Sequence, residues 1–371
     1  MKVAVIGASI SGLYASLKLA KAGLKVAVLE RGEGPDIERK LIVTPLFLSH
    51  FDLKPPRILY RVRAYRFIAG DIEALIPLKE PDLVIERREL VRYLLLASRD
   101  SGARYLAEWT FLGWTGNGSA RFMTPEGEEE FEADWYLASD GARSAVRKSL
   151  GEDLRLVYLK QAKVKLPRGY EDGVSTIWFR PHITPYFFWL FQDSEAGGVL
   201  GVIAPDKKGA EEGLRELLIQ EGLQPESYEE GWVSLFDPRF RPRQGRVMFL
   251  GDAAGHVKVT TVGGTVTGIR GAEACVKALL RGRDYLRELT PLRRELLIHH
   301  WLRGILNRFD TEDYRKLLRV MEGCGFLGEI CRDDLLWALP LFPLKAPLTF
   351  LRLIFMGAPW GLTRNRRQVN H

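Results

Sequence analysis

Apolar positions along the chain keep two rhythms, and the changes between them outline the elements. Residues 2–6 and 25–29 are short apolar runs, while 11–22 repeats apolar residues at helical spacing. Together they predict a strand, helix and strand closing on Glu30. Residues 86–101 are again helical, and 104–137 is strand-rich, broken by the turns Gly116-Asn117-Gly118 and Pro125-Glu126-Gly127. That stretch predicts an antiparallel meander laid on the first unit. From Leu154 to about Phe236 aromatic and β-branched residues dominate, with Pro181 and Pro185 as breakers and a helix over 211–221. Residues 246–250 then form an apolar strand before a glycine-rich turn and a helix through Leu280, so the chain re-enters its first unit. After Pro291 the pattern is helical to the end.

A chain of 371 residues exceeds one ordinary core. Its 46% apolar and 27% charged residues are those of a globular protein. The net charge of +7 would suit a nucleic acid, an anionic membrane or an anionic substrate. Basic residues are interleaved with acids, however, and only 364–367 forms a local run, so no nucleic-acid partner is expected. Three cysteines without Cys-x-x-Cys spacing predict neither a disulfide framework nor a metal site, and fit a reducing, cytoplasmic location. Cys324 and Cys331 are close enough in sequence to pair in a hyperthermophile's protein. The apolar start is punctuated by Gly and Ser as a strand and helix are, not as a secretory signal, and the Asn117 sequon reads as a hairpin turn. No apolar run is long enough to span a bilayer.

Gly7-Ala8-Ser9-Ile10-Ser11-Gly12 follows the first strand and opens the first helix, with Glu30 and Arg31 closing the second strand. This is the setting of a dinucleotide fingerprint. Gly7 would allow the tight turn and Gly12 close packing of helix on strand. The helix start would offer N–H groups to a pyrophosphate, and Glu30 would accept ribose hydroxyls. Ser9 stands where the fingerprint has its central glycine. Gly323–Ile330 repeats the bare pattern but follows a helical run and reads as a helix-ending turn.

Two later segments extend the fingerprint. Residues 136–147 run through the sharp turn Asp140-Gly141 into a helix, and 245–255 repeat the device as Gly251-Asp252-Ala253-Ala254-Gly255. With these the chain resembles the FAD-dependent oxidoreductases of the hydroxylase-like class, and within them the geranylgeranyl reductase family, over roughly residues 1–290. The resemblance implies an α/β fold, α+β in the second domain. A discontinuous Rossmann-type FAD domain (1–60, 85–153, 242–290) would carry an inserted antiparallel-sheet substrate domain (61–84, 154–241) and a C-terminal helical region (291–371). It implies that Asp252 binds the ribityl chain, that Gly263 and Gly264 bring a helix start to the flavin ring, and that Arg87 lies near the cofactor. This chain departs from the family in lacking a cysteine near position 45 and in reading Phe187-Phe188-Trp189-Leu190-Phe191 for its aromatic signature. Val259 and Val262 replace a family proline and glycine.

The activity so implied is saturation of isoprenoid double bonds by hydride from reduced flavin, in a dry, aromatic-lined pocket. Trp178, Phe179, Tyr186, Phe187, Trp189 and Phe191 are the pocket candidates, and Tyr186 and His50 the weak proton-donor candidates. The apolar, proline-broken stretch 335–362, with basic residues after it, reads either as a cap over the substrate channel or as a peripheral contact with the inner face of a membrane. Without a second strand-borne fingerprint the external electron donor stays open, as does the oligomeric state. A flavin monooxygenase of the same fold and a non-catalytic isoprenoid- or flavin-binding protein are the alternatives. A quinone-linked carrier with an iron–sulfur domain is disfavoured by three scattered cysteines.

Overall fold

The computed structural model describes residues 1–34, 38–45, 47, 50–51, 53 and 57–322. In chain order it contains β1 (Lys2–Ile6), α1 (Ile10–Lys21), β2 (Lys25–Leu29), β3 (Lys40–Val43), β4 (Ile58–Ala69), β5 (Ile72–Glu86) and α2 (Arg87–Asp100). Then follow β6 (Arg104–Leu106), β7 (Thr110–Trp114), β8 (Ala120–Thr124), β9 (Gly127–Phe131), β10 (Trp135–Ala138) and α3 (Ala145–Ser149). The second half holds β11 (Leu156–Lys165), β12 (Val174–Trp178), β13 (Phe188–Gln192), β14 (Gly197–Ala204), α4 (Lys207–Gln220) and β15 (Pro225–Ser234). It ends with β16 (Arg243–Gln244), β17 (Val247–Phe249), α5 (Thr265–Arg281), α6 (Tyr285–Glu288), α7 (Thr290–Leu306) and α8 (Thr311–Glu322).

The first sheet has the order β16-β17-β10-β1-β2-β6 and is parallel except at β16. Its side chains alternate between two cores, as a sheet buried on both faces requires. Val3, Val5, Val26, Val28, Leu137 and Met248 belong to the core that includes α1, α2 and α5. Ala4, Ile6, Leu29, Tyr136 and Phe249 face Phe122 and Phe131 of the small antiparallel sheet β7-β8-β9. The expected meander is therefore shorter than the sequence suggests. β6 and β10 pair in parallel with the central sheet, β10 inside it and β6 at its edge.

The second sheet has eight strands in the order β15-β11-β14-β13-β12-β4-β5-β3, antiparallel except where β12 joins β4. β3, assigned from sequence to the dinucleotide domain, is its edge strand through pairing with β5. One face packs on α4 through Tyr158, Trp178, Phe188, Leu190, Leu200 and Val202. The other turns inward, toward the first sheet's helices. No helix among the described residues is long and apolar enough to cross a membrane, and none of their His, Cys, Asp and Glu side chains group as a metal site. The readings placed on 323–371, including Cys324, Cys331 and the apolar stretch, lie outside the described residues.

Candidate active site

Close backbone approach shapes the motif end of the site. Gly7 has φ +93°, and a Cβ on it would lie 2.7 Å from Asp140 Cα. A Cβ on Gly12 would collide with Ser139, so α1 meets the strand ends only because that residue has no side chain. Ser9 caps α1 by accepting from the Gly12 amide at 3.2 Å, which gives the serine in the central glycine's place a structural use. Glu30 accepts from the amides of Ala8 (2.5 Å) and Gly32 (3.1 Å). Arg31 beside it is exposed.

The segment around 250 comes to the same place. Gly251 has φ +57°, and Cβ atoms built on Gly251 and Gly268 would lie 2.7 and 2.6 Å from Ser11 Oγ. The first helix, the Gly251-Asp252 turn and α5 thus touch within one side chain's width. Arg147, fully buried, donates to the carbonyls of Ala142 (2.6 Å) and Ala253 (3.0 Å), tying the two glycine turns together. The sequence motif that ends on it gave it no role. Asp140 caps the helix it precedes, accepting from Ser144 Oγ at 2.6 Å and the Val146 amide at 3.1 Å. Burial pushes its carboxyl above the usual range.

A cavity of about 500 Å³ opens between these turns and the inner face of the second sheet. Ser9, Ile10, Ser11, Arg87, Gly141, Asp252, Gly263 and Gly264 line its motif end, and Phe187, Trp189 and Phe191 its other end. Burial pushes the Asp252 carboxyl up while the charges of Arg87, Arg39 and Arg147 oppose the shift. Gly264 begins α5 with no side-chain cap, and a Cβ there would stand 3.1 Å from Asp252 Oδ1. This arrangement fits a flavin nucleotide: a helix start without a side chain in the way, a carboxylate that only accepts, and guanidinium groups beside it.

The aromatic end obeys strand parity. Phe67, Ile177, Trp189, Gly201 and Gln161 form one row across β4, β12, β13, β14 and β11. The Trp189 indole lies flat over Gly201, where any side chain would strike it. Phe179, expected among the pocket aromatics, also lines the cavity, as do Tyr65, Arg39, Lys258, Arg303 and Tyr314, which the sequence did not single out.

Three expected residues stand elsewhere. Trp178 is one position out of phase with Ile177 and packs on the α4 face. Tyr186 is buried beneath the Arg303 guanidinium, 4.8 Å from its ring centroid, and does not line the cavity. His50 is half-exposed and lies 3.5 Å from Glu273 of α5, also outside the cavity lining.

Among the described residues, Val262 is the one non-glycine of the cavity lining with positive φ (+52°). Its loop is gripped from α7: Arg303 donates to the carbonyls of Val259 (3.1 Å) and Thr260 (2.8 Å), and Thr260 Oγ1 lies 2.6 Å from His299 Nδ1.

Fold and site together define a two-domain α/β protein whose nucleotide-binding half faces an aromatic-walled cavity. Residues 5–36 match the NAD(P)-binding Rossmann-like domain model. Over 92% of its length the chain is 26% identical to digeranylgeranylglycerophospholipid reductase 2 of Methanothermobacter thermautotrophicus, covering 96% of that protein. It resembles the crystal structure of a geranylgeranyl bacteriochlorophyll reductase-like protein from Thermoplasma acidophilum with a TM-score of 0.80, at 19% identity over 96% of this chain and 98% of that one. The fold is also that of p-nitrophenol 4-monooxygenase from Pseudomonas putida, with a TM-score of 0.67 and 18% identity over 90% and 96% of the two chains. The resemblance read from the motifs is borne out by these relatives.

Proposed function

We propose that this protein is an FAD-dependent reductase that saturates double bonds in the isoprenoid chain of a lipid. One observation carries the reading: a single cavity joins both glycine-bearing motifs to an aromatic sheet face. In this reading Gly7, Ser9, Ile10, Ser11 and Gly12 present the start of α1 to the pyrophosphate, and Glu30 with Arg31 borders the ribose. Asp140 and Gly141 shape the second turn, Asp252 accepts from ribityl hydroxyls, and Arg87 adds charge beside it. The start of α5 at Gly263 and Gly264 faces the ring, where its partial positive charge favours the electron-rich reduced form. When bound, reduced flavin supplies the hydride. The chain's own part is to bind the apolar substrate against Phe187, Trp189 and Phe191 and to exclude water.

The purified protein is expected to be yellow, and Asp252→Ala to lose about tenfold or more in flavin affinity through its lost charge-assisted hydrogen bonds. Full flavin content in that variant would remove Asp252 from the site. The decisive experiment mixes anaerobically reduced protein with polyprenyl lipids and follows product mass. A gain of two hydrogens per saturated bond, with flavin reoxidation, is the expected result. Reoxidation only by oxygen, with a hydroxylated product, would establish a monooxygenase instead.

The same reading places the enzyme peripherally at the cytoplasmic face of a membrane, where such lipids reside. Exposed Leu286, Leu297 and Trp301 on α6 and α7 support it. Vesicle flotation tests the placement, and protein that stays with the soluble fraction argues against it.

A further inference from the structure

α5 reaches the cavity through a turn that its own sequence does not favour. Residues 258–263 close on themselves, with the Val262 amide donating to the Lys258 carbonyl (2.7 Å) and the Lys258 amide to the Gly263 carbonyl (3.0 Å). The closure puts Val262 at φ +52°, where a β-branched residue is strained, so the turn needs a hold from outside. Gly264 then starts α5 with no side-chain cap, and the first α5 amides keep whatever direction the turn gives them.

The hold comes from one stripe of α7, in which Glu295, His299 and Arg303 follow each other at helical spacing. Glu295 pairs with Arg270 on α5 itself. His299 Nδ1 lies 2.6 Å from Thr260 Oγ1. Arg303 donates from Nε to the Val259 carbonyl (3.1 Å) and from Nη2 to the Thr260 carbonyl (2.8 Å).

The other side of the same guanidinium belongs to the aromatic wall. Its Nη1 donates to the Pro185 carbonyl (2.7 Å), in the segment joining β12 to β13, and the Tyr186 ring lies beneath it. It also pairs with the Tyr314 hydroxyl, and the Tyr314 ring stacks on Phe179, which stacks in turn on Phe67. Arg303 is 5% exposed, so water scarcely competes for these acceptors. A planar fork of donors serves acceptors on two sides at once, whereas an ammonium group offers its donors from a single point.

Resting on the flavin-reductase reading, we infer that Arg303 is a positioning residue that fixes the flavin-facing turn of α5 in register with the wall that holds the substrate. It acts through Val259 and Thr260 on the direction of the α5 amides, and through Pro185 on the wall. The bound flavin's preference for its reduced form therefore depends on Arg303, and so does the placement of the substrate against the ring.

Redox titration of the flavin-loaded protein without substrate, against indicator dyes, tests the first dependence. Arg303→Lys keeps the charge and loses the fork, so it separates position from charge. It should weaken the preference for reduced over oxidised flavin by about tenfold, a midpoint potential lower by about 30 mV for a two-electron couple. Anaerobic single-turnover reoxidation by polyprenyl lipids tests the second. The limiting rate should fall about tenfold, with the half-maximal lipid concentration within about twofold of wild type, because misplacement harms the reacting geometry and spares the apolar contacts.

Where Arg303→Lys fails to fold or to hold flavin, Thr260→Val decides. It removes the His299 contact from a half-buried turn residue and should weaken the same preference by about threefold, or about 14 mV.

A wild-type potential in Arg303→Lys, or in Thr260→Val where the first variant is lost, overturns the positioning role and leaves the reductase reading intact. A raised half-maximal lipid concentration with an unchanged limiting rate overturns it too, since that is the mark of a wall contact alone. Failure of every polyprenyl lipid to reoxidise the reduced wild-type protein removes the reductase reading, while the potentials still judge Arg303.

Discussion

At the motif end of the cavity the backbone itself comes close: Gly7 lies against Asp140, and Gly251 and Gly268 lie against Ser11. At the aromatic end the backbones stay apart and Phe67, Ile177 and Trp189 fill the space from a sheet. The first construction fixes residue identity, because only glycine meets the contact distance or the dihedral angle. The second fixes only size and side, so many apolar sequences would satisfy it. One end is thus suited to an invariant nucleotide and the other to a substrate that differs between related enzymes.

The contrast breaks most sharply at Gly12. Gly12→Val should cost more than about 3 kcal/mol, since neither Ser139 nor the Gly7 carbonyl can retreat. Urea denaturation measures it, and a loss under about 1 kcal/mol would refute rigid packing there.

His256 probes the same end by charge. It is 2% exposed, and burial, with Arg293 nearby, lowers its pKa to about 3. An unfolded histidine titrates near ~6.5. Between these values the unfolded chain binds a proton that the folded one refuses, so stability is complete above ~6.5 and falls as pH drops toward 3. The expected slope from this residue is about 1.4 kcal/mol per pH unit, visible as the difference between wild type and His256→Leu. Parallel curves for the two proteins would show that the imidazole takes up its proton while folded.

Two smaller changes sharpen the comparison. Val262→Gly should raise stability by about 1 kcal/mol in thermal unfolding, because a β-branched residue at φ +52° carries strain that glycine does not. Gly201→Ala should leave the fold in place but push the Trp189 indole toward the cavity. The longest isoprenoid chain reduced should then shorten; an unchanged chain-length profile would take Trp189 out of the substrate's path.

These two constructions also explain what the sequence could tell. The fingerprint, the Asp140-Gly141 turn and Gly251-Asp252 were legible because steric necessity writes them as residue types. Trp189 and Trp178 were not separable, since both sit in apolar strands and only the register with β4 and β14 decides their faces. Arg303 and Tyr314 left no local signal at all. They come from helices beyond the resemblance and acquire meaning only when α7 and α8 close the cavity. The edge strand β3 left no mark in the sequence reading, since its apolar run spans only four residues and its partner β5 lies some forty residues further on.

The order of strands in the first sheet has a consequence for synthesis of the chain on the ribosome. β10 gains its neighbour β17 only after the whole β11–β15 region has been made, and Ser11 meets Gly251 and Gly268 later still. An emerging chain that stops near residue 150 has the fingerprint but lacks the Asp252 turn, so it holds half a grip on a nucleotide. Assembly of a complete cofactor site is therefore a late, long-range event, and a truncated product is left without the cofactor's contribution to its stability.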